Sequence, residues 1–289
     1  MGYLARHRGL VPYLLLAPGL LWLVVFYVVP GFAMFMSSFW SGTLETGYTF
    51  SLENISNYTA ALERFQPQFT RSILYGGAAT ILTLAISYPL AYAIAFRGGR
   101  YKNLLLFLVV APFFTSFLLR TISWKIILGD NGIVIGPLKD VGLLPGDFAV
   151  LQTPIAVISG ITYNFLPFMT LPIYVSLEKV DFRLVEAAQD LYASRLGAFR
   201  RITLPLSLPG VFAGSLLTFI PAMGDYVNAE LLGNTQTTMI GNVIQNQFLT
   251  QNNYPTAAAL SFLLMAGILI AVAVYARLLG TEELTSGGV

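Results

Sequence analysis

The chain has 289 residues, 56% of them hydrophobic and only 10% charged, with a formal net charge of +2. An ordinary soluble domain is nearer 25% charged, so the polar surface of a soluble globular fold is missing. With no cysteine and a single histidine, disulfides, thiolate catalysis, Cys- or His-based metal sites and His-dependent triads are excluded.

Arg6, His7 and Arg8 precede the first apolar run, 11–36; His7 reads as a surface residue near lipid headgroups. A secretory signal has an apolar core of about 7–15 residues and a small-residue cleavage site. This run is longer and continues through "FYVVPGFAMF", so it reads as a retained span. Five more runs follow, at 73–96, 104–128, 150–175, 208–227 and 256–279. Each reaches or exceeds the roughly 20 residues needed to cross a hydrocarbon core. An all-α, polytopic membrane protein with six spans is predicted.

Eleven of the sixteen Lys and Arg fall in one set of alternate connections, among them Arg97, Arg100, Lys102, Lys179, Arg183, Arg200 and Arg201. The positive-inside bias then puts both termini in the cytoplasm. The connections 37–72, 129–149 and 228–255 are external. The segment 129–149 is rich in turn residues with a short apolar interior, which predicts a small helix roofing the pathway or meeting a binding protein. The end "TEELTSGGV" reads as a flexible cytoplasmic tail.

The long internal connection, 176–207, contains "VEAAQDLYASRLGAFRRITLPL". Asp181 is a plausible N-cap, and Leu184, Ala187, Ala188 and Leu191 recur at helical spacing. "RLGAFRRI" predicts a second short helix, and "LPLSLPG" a break before the fifth span. A helix lying on the membrane satisfies this pattern. The small face at Ala187–Ala188 and the paired short helices fit docking in a partner's groove better.

The same stretch resembles the cytoplasmic loop of the membrane subunits of binding-protein-dependent ABC importers. That loop carries "EAA", three residues, Gly, nine residues, then "I-x-LP". Glu186, Ala187 and Ala188 match its start, and Ile202, Leu204 and Pro205 its end. Tyr192 stands where the pattern has Gly, a turn position at which a left-handed backbone costs a non-Gly residue roughly 1–2 kcal/mol. Either the turn is built differently, or Tyr192 accepts the strain and its ring fills the partner's groove.

The resemblance implies an ATPase-coupling helix formed by Glu186, Ala187, Ala188, Asp190, Leu191, Tyr192, Ser194, Arg195, Ile202, Leu204 and Pro205. The chain has no G-x-x-x-x-G-K-[ST] loop of its own, so the ATPase is expected to be a separate chain, and the resemblance implies a transport subunit rather than an enzyme, with no cofactor bound by this chain. ATP and Mg are used by two separate ABC ATPase subunits. A second homologous permease, an extracytoplasmic substrate-binding protein and the lipid of a prokaryotic cytoplasmic (inner) membrane complete the implied partners, with no nucleic acid. The single transmembrane domain spans 1–289, its core spans about 73–279.

"SYPLAYAIAFRG", "PFFTSFLLRTISWKIIL" and "YNFLPFMTLPIYVSLEKV" look like spermidine/putrescine permeases, which implies polyamine uptake. Permeases for ferric ion or amino-acid-like solutes share the loop, and a stand-alone secondary transporter or channel is the reading that leaves the loop without a purpose. Candidates for the substrate path are Asp225, Glu230, Tyr226, Tyr163, Asn164 and Trp124. Asp225 and Glu230 suit an organic cation, and the aromatics offer cation–π faces. Asp225 equally suits a structural pair with Arg120 or Lys125, Trp124 and Tyr226 an interfacial belt, and Asn164 an interhelical hydrogen bond. Pro154, Pro167 and Pro172 are expected to break the fourth span and Pro221 the fifth. Gly210 and Gly214 predict a close helix contact.

Overall fold

The computed structural model describes residues 11–43 and 45–279; Arg6, His7, Arg8 and the C-terminal tail lie outside them. The chain forms two compact units. One comprises the described residues up to Arg64 with Ile244–Leu263; the other comprises Phe65–Val243 and the described residues from Leu264 onward.

In the first unit, helix α1 runs through Val11–Leu23, a π-helical turn Val24–Val28 and Val29–Ser37. Its surface is exposed along the span, as suits a helix solvated by lipid. A hairpin follows, β1 (Trp40–Thr43) pairing antiparallel with β2 (Gly47–Phe50), Trp40 opposite Phe50 and Thr43 opposite Gly47. Gly47 supplies the positive φ (79°) where the turn re-enters the ladder. The chain is mostly helical, as expected, and this hairpin is the departure: four-residue strands are too short to show alternation. Asn57 Nδ2 donates to Ser38 O and Trp40 O, both at 2.9 Å. These bonds hold the hairpin to the start of α2 (Ser56–Arg97).

Helix α2 begins 17 residues before the expected second span. The part of it within the second unit, Phe65–Arg97, reaches about 50 Å at 1.5 Å per residue, more than a bilayer core needs. Phe65 leaves helical geometry (φ −113°, ψ 16°), with Pro67 just beyond.

In the second unit, α2 presents Gly76, Ala79, Thr83, Ser87 and Ala91, a stripe of small side chains that lets helices approach closely. Thr170 Oγ1 bonds Ser87 Oγ at 2.9 Å, and Ser87 Oγ donates to Leu166 O at 3.3 Å. The third span is not one helix. Helix α3 (Lys102–Val110) passes into a 3₁₀ turn, Ala111–Phe114, then stops at the extended Thr115 before α4 (Phe117–Ile127). The two arms meet at 93°. Pro112 has no N–H to continue the helix, and neither arm spans a bilayer alone. A small helix, α5 (Ile135–Asp140), occupies the turn-rich connection.

Helix α6 (Pro154–Glu178) is capped by Thr153 and runs unbroken through Pro167 and Pro172, with Pro154 in its first turn. The expected breaks do not occur, because buried neighbours can satisfy the carbonyls that proline leaves free. After α7 (Phe182–Asp190), α8 runs from Arg195–Ala198 through a π turn, Phe199–Thr203, into Leu204–Met223. The predicted break at "LPLSLPG" is absent too: Pro205 lies in the first turn after the π segment, and the helix continues through Pro209 and Pro221. Short helices α9 (Val227–Leu232) and α10 (Ile240–Gln245) precede α11 (Tyr254–Leu279). Five helices among the described residues are long and apolar enough to cross a membrane, and six if the bent pair counts as one span.

The core of this unit lies where α6 meets α2 and α8, around Ala79, Val157, Ile161 and Ala222 at one level and Ala91, Met169, Ile173 and Leu177 at another. Gly210 and Gly214 sit against α6, as their spacing predicts. A Cβ on Gly210 would lie 2.5 Å from Pro172 O, and one on Gly214 2.9 Å from Met169 Sδ. Gly210→Val is expected to destabilise the unit by about 1–3 kcal/mol, read as a lower melting temperature of the purified membrane protein.

Candidate functional site

The first candidate region is the loop between α6 and α8. Asp181 caps α7, accepting from Arg183 N at 3.0 Å. Val185 is buried and holds the helix in place, while Glu186, Ala187, Gln189 and Asp190 face outward. At the C-terminus, Tyr192 N donates to Gln189 O (2.9 Å) and Ala193 N to Ala188 O (2.9 Å). This bond pair is the Schellman motif, whose C′ residue must be left-handed. Tyr192 has φ 63°, so the tight turn forms with Tyr in place of Gly and the strain is accepted. Its side chain is 99% exposed, beside Leu191 at 81% and Leu196 at 66%.

Ser194 then caps the start of α8, accepting from Gly197 N at 3.1 Å. Phe199 packs edge-on against Tyr88 and Tyr92 of α2, and Tyr88 Oη bonds Ser207 Oγ at 2.8 Å. Ile202, Leu204 and Pro205 are partly buried in the same helix. The outward turn is thus fastened to two long helices by rings and a hydrogen bond.

The second region is a buried polar cluster. Helix α8 ends at Met223, so Asp225 lies in the turn beyond it rather than within the span. Its Oδ1 accepts from Asn228 N (2.8 Å) and its Oδ2 from Asn228 Nδ2 (2.7 Å). Asn228 Oδ1 in turn accepts from Asn164 Nδ2 at 3.1 Å, and Asn164 Nδ2 also approaches Thr121 Oγ1 at 3.2 Å. The cluster therefore joins α4, α6 and α9. The expected pairing of Asp225 with Arg120 or Lys125 is not present: no ion pair joins them among the described residues. Arg120 is buried with its guanidinium over the rings of Phe113 (5.1 Å) and Phe117 (5.7 Å), and Lys125 is exposed.

The remaining path candidates fall into two pairs. Trp124 and Tyr163 meet edge to face at 5.4 Å. Glu230 Oε2 accepts from Asn242 Nδ2 at 3.2 Å, and that nitrogen also donates to Tyr226 O. Asn228, Thr121 and Asn242 complete these arrangements and were not singled out from sequence. Their partnerships depend on tertiary placement, and an isolated Asn or Thr near a span end carries no pattern.

Broken and continuous spans with a capped projection between two long helices define a polytopic membrane subunit. The sequence profile described as binding-protein-dependent transport system inner membrane component matches residues 87–279, and the chain belongs to that family. It is 40% identical to the spermidine/putrescine transport system permease protein PotB of Haemophilus influenzae over 257 residues, 89% of this chain and 90% of the relative. It is 37% identical to the PotB protein of Escherichia coli K12, over 89% of this chain and 93% of the relative. Its fold matches a bacterial ABC transporter involved in the import of the acidic polysaccharide alginate, with TM-score 0.76, 19% identity and 96% of both chains covered. The chain is an inner membrane component of a transport system.

Proposed function

We propose that this chain is one permease subunit of an ATP-driven importer of polyamines, with both termini in the cytoplasm and the α7–α8 turn docked in a separate ATPase subunit. The observation that carries the reading is the outward turn at Tyr192. It follows the "EAA" residues, exposes Tyr192 fully, and leads into the membrane helix that carries the partly buried "I-x-LP" residues. The relatives named for spermidine and putrescine support the polyamine choice. The alginate importer shows that the fold alone does not select a solute.

The mechanical part follows from continuity. Because α8 is unbroken from Arg195 to Met223, a displacement of the turn is carried along about 43 Å of helix at 1.5 Å per residue. Phe199 and Ser207 pass it to α2 through Tyr88. Closure of two ATPase subunits on ATP and Mg would rock these helices between inward-open and outward-open states, with a second homologous permease forming the other wall and an external binding protein delivering the solute. Trp124, Tyr163, Tyr226 and Glu230 are the proposed path residues for a cation, through ring faces and one carboxylate.

The test is substrate-stimulated ATPase activity of the complex purified through this chain, in nanodiscs with its binding protein. Stimulation by spermidine or putrescine, and not by amino acids, sugars or ferric ion, is expected; stimulation only by another solute would discard the polyamine. Tyr192 offers a second test. Tyr192→Gly removes the left-handed strain but frees the unfolded chain, so stability is expected to change by less than about 1 kcal/mol. Coupled uptake is expected to fall several-fold with loss of the ring, equally in Tyr192→Ala. Full activity of the Gly variant would show that only the turn matters.

A further inference from the structure

The hairpin of the first unit has a polar cleft in a chain that has few polar surfaces. It encloses about 480 Å³ between the β1–β2 turn and Gln251–Asn253. Tyr48 forms its wall and is held from three directions: stacked on Trp40 at 5.4 Å, packed on Tyr254 at 5.9 Å, and donating its hydroxyl to Asn252 O at 2.7 Å. The left-handed backbone of Asn252 (φ 51°) accompanies that bond. Gln251 Nε2 donates to Asn246 Oδ1, which leaves Oε1 as its acceptor end. Glu45 lines the cleft and has no ionic or hydrogen-bonded partner among the described residues.

These groups select charge. A fixed ring face, an unpaired carboxylate and an amide oxygen form the donor set that attracts an alkylammonium group. Among the described residues no cation lines the cleft, and those of this unit carry three carboxylates, Glu45, Glu53 and Glu63, against Arg64 alone. An anion would meet repulsion and no guanidinium or ammonium. A neutral solute would leave Glu45 without a counterion.

We propose that this cleft is a capture site for one ammonium end of a linear diammonium or polyammonium cation. Its placement on the outer side rests on the orientation and the polyamine reading proposed above. Glu45 supplies the countercharge, Tyr48 the ring face, and Gln251 Oε1 a hydrogen-bond acceptor. The second ammonium of the same molecule remains in solvent, so the site is weak and releases its ligand easily.

The test is a spermidine titration of the complete complex in nanodiscs without binding protein, followed by the emission of Trp40, obtained as the difference between wild type and Trp40→Phe. A saturable change that sodium chloride of equal ionic strength does not reproduce is expected, with apparent affinity about fivefold weaker in Glu45→Gln, the equivalent of losing about 1 kcal/mol. Glu45 is exposed, so this variant keeps its fold; Tyr48→Phe, which keeps the ring, is expected to bind within about twofold of wild type. No saturable signal, or an unchanged affinity in Glu45→Gln, would overturn the site. A loss confined to binding-protein-stimulated ATPase with an unchanged titration would also overturn it, in favour of a protein-docking surface. Uptake measured on the same preparation with binding protein present judges the polyamine reading separately: wild type that binds spermidine at the cleft but imports none would keep the site and discard the transport substrate.

Discussion

Glu186→Lys and Ala187→Trp are expected to abolish ATP-coupled uptake while leaving the amount of chain in the membrane unchanged. Both side chains face outward on α7, whereas Val185 supplies its buried contact. Exposed substitutions away from caps and core usually change stability by less than about 0.5 kcal/mol, and neither residue takes part in the Asp181 or Ser194 caps. A docked surface is different. An indole at Ala187 adds volume where a partner must approach closely, and overfilling a packed contact costs about 1–3 kcal/mol. Glu186→Lys reverses the charge that the same face presents to the partner. The measurement is uptake into vesicles together with ATP hydrolysis and recovery of the ATPase subunits through this chain. Uptake lost with the chain intact fits a coupling surface; normal coupled uptake in both variants would remove that role from α7.

The parts of this arrangement that the sequence made legible are those with a local physical cause. Six apolar stretches are visible because a bilayer core imposes a length. Helix α7 is visible because Asp181 is a cap and the apolar residues recur at helical spacing; the Ser194 cap that follows the turn was not singled out. Even the strain at Tyr192 can be anticipated, since the pattern asks for Gly at a position that must be left-handed. Proline misled the reading. Pro167, Pro172, Pro209 and Pro221 sit inside continuous helices, where packing outweighs the lost hydrogen bond, and the sharp break falls after Pro112, in a segment expected to run straight. The hairpin hid in a polar connection because four-residue strands are too short to show alternation. The cluster around Asn228 was invisible for another reason: its hydrogen bonds join Asp225, Asn164 and Thr121 across as many as 107 residues, and no local rule links them.

That cluster gives the other large effect. Asp225→Ala is expected to destabilise the second unit by on the order of 3 kcal/mol, because it leaves Asn228 N and Nδ2 buried without their acceptor. Little intact complex should survive extraction. Asp225→Asn should behave differently. One oxygen remains for the Asn228 N–H, but the new amide nitrogen faces the Asn228 side-chain nitrogen, and two donors repel. Turning the Asn228 amide over relieves this and aims its nitrogen at Asn164. Asn164 can turn as well: its Oδ1, buried with no hydrogen-bond partner among the described residues, would gain one, while its Nδ2 would give up Thr121 Oγ1. The three amides then re-pair at a cost of about 1 kcal/mol, and uptake per folded complex stays within about twofold of wild type. Thermal melting and polyamine uptake of both variants check this. An Asn variant that melts like wild type but no longer imports polyamine would overturn the purely structural role, because stability would survive the loss of the charge while transport would not, and the carboxylate of Asp225 would then be acting in transport.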